Sequence, residues 1–189
     1  MPELRLSEHE NSDDAPYRIW AAAGLLTLTN GEGTYGIKTD YHFITAELSA
    51  IITAHNLQVV GCGYDGHNAG AFLPDLDSVL DCDLTEIKQS ARSLNDATID
   101  FQLSVKAGTV VYDKHNALLT WSMVNATISR PNSFGEIKID KITQTNRIDP
   151  CDAIIDAWKL YFSQKRDEKP DGSAALSAWL DITEKKEGE

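Results

Sequence analysis

Residues 57–65 read LQVVGCGYD, a nearly uninterrupted apolar run closed by an acid and followed by the breaker sequence GHNAG. A run that is apolar on both alternating faces describes a strand covered on both sides, as in a parallel sheet with helices packed above and below. The run also fixes an address. Asp65 follows the strand directly, at its carboxyl end, where open α/β sheets gather their ligands.

The flanking segments supply the helices such a strand needs. YRIWAAAGLL, from Tyr17, predicts a short helix ended at Gly24, followed by LLTLT as a β-branched strand and NGEGTYG as a turn. Asp40 caps a predicted helix in which Ile44, Leu48, Ile51 and Ile52 form one apolar stripe, ending near His55 and Asn56. Beyond Asp65, FLPDLDSV makes a helical turn or two, VLDCDL a second short strand, LNDATIDFQLSVKAG a helix closed by Gly108, and TVVYD a further strand. NALLTWSMVNA reads as a helix, and ATISR and EIKID as two strands joined through PNSFG. RIDPCDAIIDAWKLYF is the strongest helix, with Ile154, Ile155, Trp158, Tyr161 and Phe162 on its apolar face. Strands alternating with helices define an α/β fold, and the late hairpin makes its sheet mixed, flanked by helices. The boundaries expected are a flexible acidic arm over 1–15, one folded domain over 16–163, and a charged, mostly mobile tail over 164–189 with a docking turn around Trp179.

Length and charge narrow the functions. A chain of 189 residues with 42% hydrophobic content builds one continuous core. Seventeen Lys+Arg against 29 Asp+Glu give a formal charge of −12, which argues against a surface built to neutralise phosphates. Cys62, Cys82 and Cys151 are widely spaced and lack any C-x-x-C pattern, so reduced thiols are expected rather than a zinc site. No apolar run approaches the ~18 residues of a membrane helix, and MPELRLSEHENSDD is not a signal peptide; the chain is expected to be soluble and intracellular. G-x-G-x-x-G, Walker A, G-x-S-x-G and H-E-x-x-H patterns are all absent from the sequence.

Carboxylates remain as the carriers of chemistry. Asp65 reads as the start of a turn, accepting backbone N–H bonds from residues 66–68, or as an active-site acid; one side chain can do both. Asp149, before Pro150, reads as a helix N-cap with Asp152 complementing the macrodipole, or as a second acid at the sheet edge. Two such acids converging would hold Mg²⁺ or Mn²⁺, hard ions that keep waters and share phosphate oxygens. A pair of these ions ~4 Å apart activates water and stabilises the leaving oxygen of a phosphodiester. His67 is a turn histidine able to position a water or phosphate, or plain surface. Asp75, Asp77, Asp81 and Asp83 lack the Gly and Glu of an EF-hand and read as a solvated edge. Trp20, Trp121, Trp158 and Phe162 fall at helical core spacing, which favours packing over base stacking.

Several segments resemble, in order, the nuclease domain of bacteriophage terminase large subunits. They are PYRIWAAAGLLTLTNGE followed by TDYHFITAEL, the strand and turn GYDGHNAG, the stretch LNDATIDFQLSVKAGTVVYDKHNALLTWSMVNATI, the basic strand GEIKIDK, and NRIDPCDAIIDAW, together covering roughly residues 16–162. The resemblance implies a ribonuclease H-like fold and metal-dependent endonuclease activity on concatemeric phage DNA during packaging. It places the family's metal-binding acids on Asp65 and Asp149, its turn Asn on Asn68, and its basic strand on Lys138 and Lys141, which would touch DNA phosphate. It implies Mg²⁺ or Mn²⁺ as cofactor. The implied partners are double-stranded phage DNA and the terminase ATPase part, small subunit or portal, in the cytoplasm of a bacterial host carrying a phage or prophage. The family's first metal-binding Asp lies on an opening strand upstream of the Y-x-x-W-x-x-x-G-L-L segment, whereas only MPELRLSEHENSDDA precedes Pro16. The domain is therefore expected to be partial, lacking the first metal-binding Asp and the opening strands, with an incomplete two-ion site. A catalytically inactive remnant or assembly module of a packaging complex is the alternative, and an unrelated α/β protein whose two acids are helix caps is the third.

Overall fold

A computed structural model describes residues 1–2, 6, 16–29, 38–67 and 69–167. Its elements in chain order are α1 (Tyr17–Ala22), α2 (Tyr41–Ala54), β1 (Cys62–Tyr64), α3 (Leu73–Asp77), β2 (Leu84–Glu86), α4 (Ala91–Lys106), α5 (Ala117–Asn125), β3 (Ala126–Ile128), β4 (Ile139–Lys141) and α6 (Asp149–Asp167).

The frame is α4 against α6. Leu94, Ala97, Thr98 and Phe101 recur at i, i+3, i+4 and i+7, so they form one buried face of α4. Cys151 and Ile155 of α6 join Leu94 and Phe101 in a core completed by Ile87, Ile139 and Ile148. Trp158 packs edge-on against Phe101 with ring centroids 5.2 Å apart. Its indole N–H, which would otherwise lose its hydrogen bond to water, donates to Asp100 Oδ2 at 2.9 Å. The ends of these helices follow from local chemistry. The Ser90 hydroxyl accepts from Ser93 N to cap α4, and Gly108, at φ 70°, takes the left-handed turn beyond its last residues.

Strand pairing is of both kinds, in two small sheets. β1 runs parallel to β2 with Cys62 opposite Leu84 and Tyr64 opposite Glu86. β3 runs antiparallel to β4 with Ala126 opposite Lys141. α6 lies directly on β1: a Cβ added at Gly63 would stand 3.0 Å from Ile87 Cγ1 and 3.3 Å from the Asp156 carbonyl oxygen. Only glycine lets the backbones approach so closely there. Trp20 is buried between Tyr17 and Trp121, with ring centroids 5.4 and 5.1 Å away. Trp20, Trp121 and Trp158 are thus held by packing against other aromatic rings.

Several sequence expectations change. Residues 25–29 form only one bridge, Thr29 to Pro2, instead of a strand. Residues 109–113 connect α4 to α5 without pairing, and Val111 is 92% exposed. β-Branched composition is a local preference that makes no strand where no partner lies alongside. β2 begins only at Leu84, the last residue of VLDCDL, because the Cys62 N–H bonds to the Asp83 carbonyl at 3.0 Å and sets the pairing from there. α2 is capped by Asp40 as expected, yet its stripe is only partly covered, with Ile51 49% exposed. α6 continues beyond Phe162 to Asp167, since Gln, Lys and Arg propagate helices well.

Of the expected arm, Met1, Pro2 and Leu6 are described, and they are held rather than solvated. The Met1 ammonium donates to the Thr27 carbonyl at 2.8 Å, and Leu6 is buried. The rest of the arm, the NGEGTYG turn, Asn68 and residues 168–189 lie outside the described residues. No helix among the described residues is long and apolar enough to cross a membrane.

Candidate active site

β1 and the following residue form one wall of a cavity of about 680 Å³ whose other wall is α6. Asp65 and Asp149, the two acids expected to converge, both line it. Asp65 reaches the site because it follows β1, and its turn role is also fulfilled: Oδ1 accepts from His67 N at 3.0 Å. That bond occupies one lone pair and leaves the rest of the carboxylate exposed. Asp149 is not an N-cap but the first residue of α6, because the first helical acceptor is the Ile148 carbonyl, bonded to Asp152 N at 2.9 Å.

Two further acids line the cavity, Asp152 and Asp156. In sequence, Asp152 reads as a complement to the helix dipole and Asp156 has no local mark of its own. Spacings of three and seven from Asp149 place all three on one face of α6, and that periodicity was the available signal. Asp156 is only 8% exposed. Burial raises its pKa above the usual carboxylate range, the Gln89 hydrogen bond opposes this, and the Asp65 charge adds to the rise. Burial, then the charges of Asp149 and Asp156, push Asp152 up to about 6, against the pull of Lys138 and Lys141. The acids therefore feel one another in a chain, Asp149 to Asp152 to Asp156 to Asp65.

α5 fixes the start of this row. Ser122 is fully buried, and its hydroxyl accepts from Cys151 N at 3.1 Å, satisfying one of the N–H groups that a helix's first turn leaves without a partner. Lys138 and Lys141, expected at DNA phosphate, lie near Asp152, and the Lys138 ammonium donates to the Gln89 carbonyl at 3.3 Å. His67 is exposed in the Asp65 turn. In the other acidic stretch, Asp75 pairs with His42 at 3.3 Å, while Asp77, Asp81 and Asp83 line a separate open depression. Cys62, Cys82 and Cys151 are free thiols. Burial pushes the Cys151 thiol up to about 11, well away from a thiolate at neutral pH.

The donor set fits a hard divalent cation in charge and in kind: the cavity gathers four carboxylates, and such ions take oxygen ligands and complete their shell with water. As the side chains lie, no group of three or more His, Cys, Asp or Glu among the described residues stands close enough to enclose an ion.

An α/β fold with acids gathered between a strand end and a facing terminal helix is the ribonuclease H-like arrangement, and structural comparison agrees. The crystal structure of the HK97 bacteriophage large terminase superposes with a TM-score of 0.69 at 28% identity, covering 85% of this chain and 32% of that one. The chain belongs to the family "Terminase large subunit, endonuclease domain", whose model matches residues 8–164. It is 30% identical over 149 residues to the terminase large subunit of Enterobacteria phage HK97, covering 78% of this chain and 28% of that protein. The chain thus spans about a third or less of the length of these relatives.

Proposed function

We propose that this chain is the endonuclease part of a phage DNA-packaging terminase, hydrolysing phosphodiester bonds of concatemeric double-stranded DNA with Mg²⁺ or Mn²⁺. The observation that carries the reading is that Asp65 and Asp149, distant in sequence, line one cavity in a chain of this family. Asp65 from the strand end and Asp149 from the helix start would hold the cation, with Asp152 and Asp156 adding negative charge behind them. A bound divalent ion supplies Lewis-acid stabilisation of charge developing at a scissile phosphate and its leaving oxygen. Lys141, whose charge acts on Asp152, offers a cation to the DNA backbone; Lys138 is the second candidate, though its ammonium already has the Gln89 carbonyl as acceptor. The ATPase part of the terminase, the small subunit or the portal would deliver the DNA, in the cytoplasm of the bacterial host.

Manganese-dependent nicking of supercoiled plasmid by the wild-type chain, set against Asp65→Ala and Asp149→Ala, tests this. We expect each substitution to lower the rate by ~10² or more, the scale on which losing metal-held charge stabilisation acts. Nicking that persists unchanged in both variants would overturn the assignment. A second reading, a non-catalytic assembly module, is favoured by the absence of three enclosing ligands among the described residues. Folded wild-type chain that neither binds Mn²⁺ nor nicks DNA selects the module.

A further inference from the structure

Just beyond β2 the chain makes a junction that the acid row does not by itself explain. Ile87 N donates to the Tyr64 carbonyl at 2.8 Å, carrying the parallel pairing one step past the strands and burying Ile87 in the core. Two residues on, the Gln89 side-chain amide donates to both oxygens of Asp156, at 2.9 and 3.1 Å, and to the Ile87 carbonyl at 3.2 Å. The Gln89 carbonyl accepts the Lys138 ammonium at 3.3 Å. One residue therefore ties the end of β2 to α6 and to Lys138, the residue just before β4.

The choice of side chain matters. A Lys or Arg beside Asp156 would cancel its charge, whereas a neutral amide orients the carboxylate and leaves that charge directed into the cavity. Each Asp156 oxygen keeps a further lone pair. A carboxylate this buried needs such a donor to remain usable.

We infer that Gln89 is a positioning residue: by gripping both oxygens of Asp156 it holds the innermost carboxylate of the cavity in place opposite Asp65, and so sets how tightly a divalent cation binds there. The inference rests on the metal-dependent reading proposed above. Partners that orient metal-site carboxylates typically account for ~10–100-fold in metal affinity.

The test is Mn²⁺ titration calorimetry on the full chain, comparing wild type with Gln89→Met, Asp156→Asn and the double variant. Gln89→Met keeps length and volume and donates nothing. We expect it to weaken Mn²⁺ binding ~10-fold or more, and to weaken it no further once Asp156→Asn is present. That coupling is what a merely structural role would not produce, since loss of packing acts whether or not the carboxylate is there. Thermal denaturation in EDTA reports folding; if Gln89→Met does not fold, Gln89→Asn, which keeps the amide but withdraws it by one methylene, replaces it in the same cycle. Wild-type affinity in the Gln89 variant, or an equal loss with and without the Asp156 carboxylate, overturns the positioning role. Asp65→Ala and Asp149→Ala separate the two levels. If they bind Mn²⁺ as wild type does, the metal reading has failed; if they lose it while the Gln89 cycle shows no coupling, only the positioning role has.

Discussion

Asp152 occupies the first turn of α6, where the helix's positive end ordinarily favours a carboxylate. Burial and the charges of Asp149 and Asp156 overcome that preference and raise its pKa from 3.8 to about 6. The folded chain therefore keeps a proton that the unfolded chain releases above about pH 4. Between these values the unfolded state binds fewer protons, so stability is highest below the lower one and declines as pH rises through the upper. Urea denaturation in EDTA between pH 4 and 7 should show a falling midpoint, and Asp152→Asn should flatten that fall. A midpoint that rises across this window would show that Asp152 does not carry the effect.

At the level of elements, α6 is where fold and site meet, because one of its faces builds the core and another carries the acid row. Its first turn depends on a neighbour: Ser122 of α5 supplies the acceptor for Cys151 N inside the protein. Ser122→Ala leaves that N–H buried without a partner, at a cost of ~1–3 kcal/mol. We expect a folded variant with a lower urea midpoint and weaker Mn²⁺ binding, since Asp149 and Asp152 flank the loosened residue. Unchanged stability would show that the turn finds another acceptor. Parts of this were legible in sequence. The Asp40 cap and the left-handed glycine after α4 are local signals, and each is found where read. The strand expected over 109–113 was misread because pairing depends on a neighbour, which composition does not encode.

For the molecule as a whole, a charge of −12 sets the terms on which it can meet DNA. The charges of Lys138 and Lys141 act on Asp152 in the acid row, and the Lys138 ammonium is already bonded within the protein. Each phosphate contact contributes about −0.9 to the slope of log affinity against log salt. Duplex binding by this chain, followed by fluorescence polarisation in Ca²⁺ buffer, should therefore be weak, with a slope between about −1 and −2. A slope several times steeper would reveal a basic surface elsewhere on the chain. The relatives are about three times longer, which leaves room for most phosphate contacts to come from their remaining length.

Asp65 and Asp149 could be picked from the sequence because each is marked by its own neighbours, one closing an apolar strand and the other opening an apolar helix. The same local grammar determined the class of fold and most of the helices. Tertiary structure decided what those acids face. Gln89 and Asp156 lie 67 residues apart, and no periodicity or cap connects them. Their meeting depends on α6 lying flat on β1, which Gly63 permits by having no side chain in the way. Hydrogen bonds and charges act over a few ångströms of space, so the character of the site was settled only when packing brought distant residues within that range.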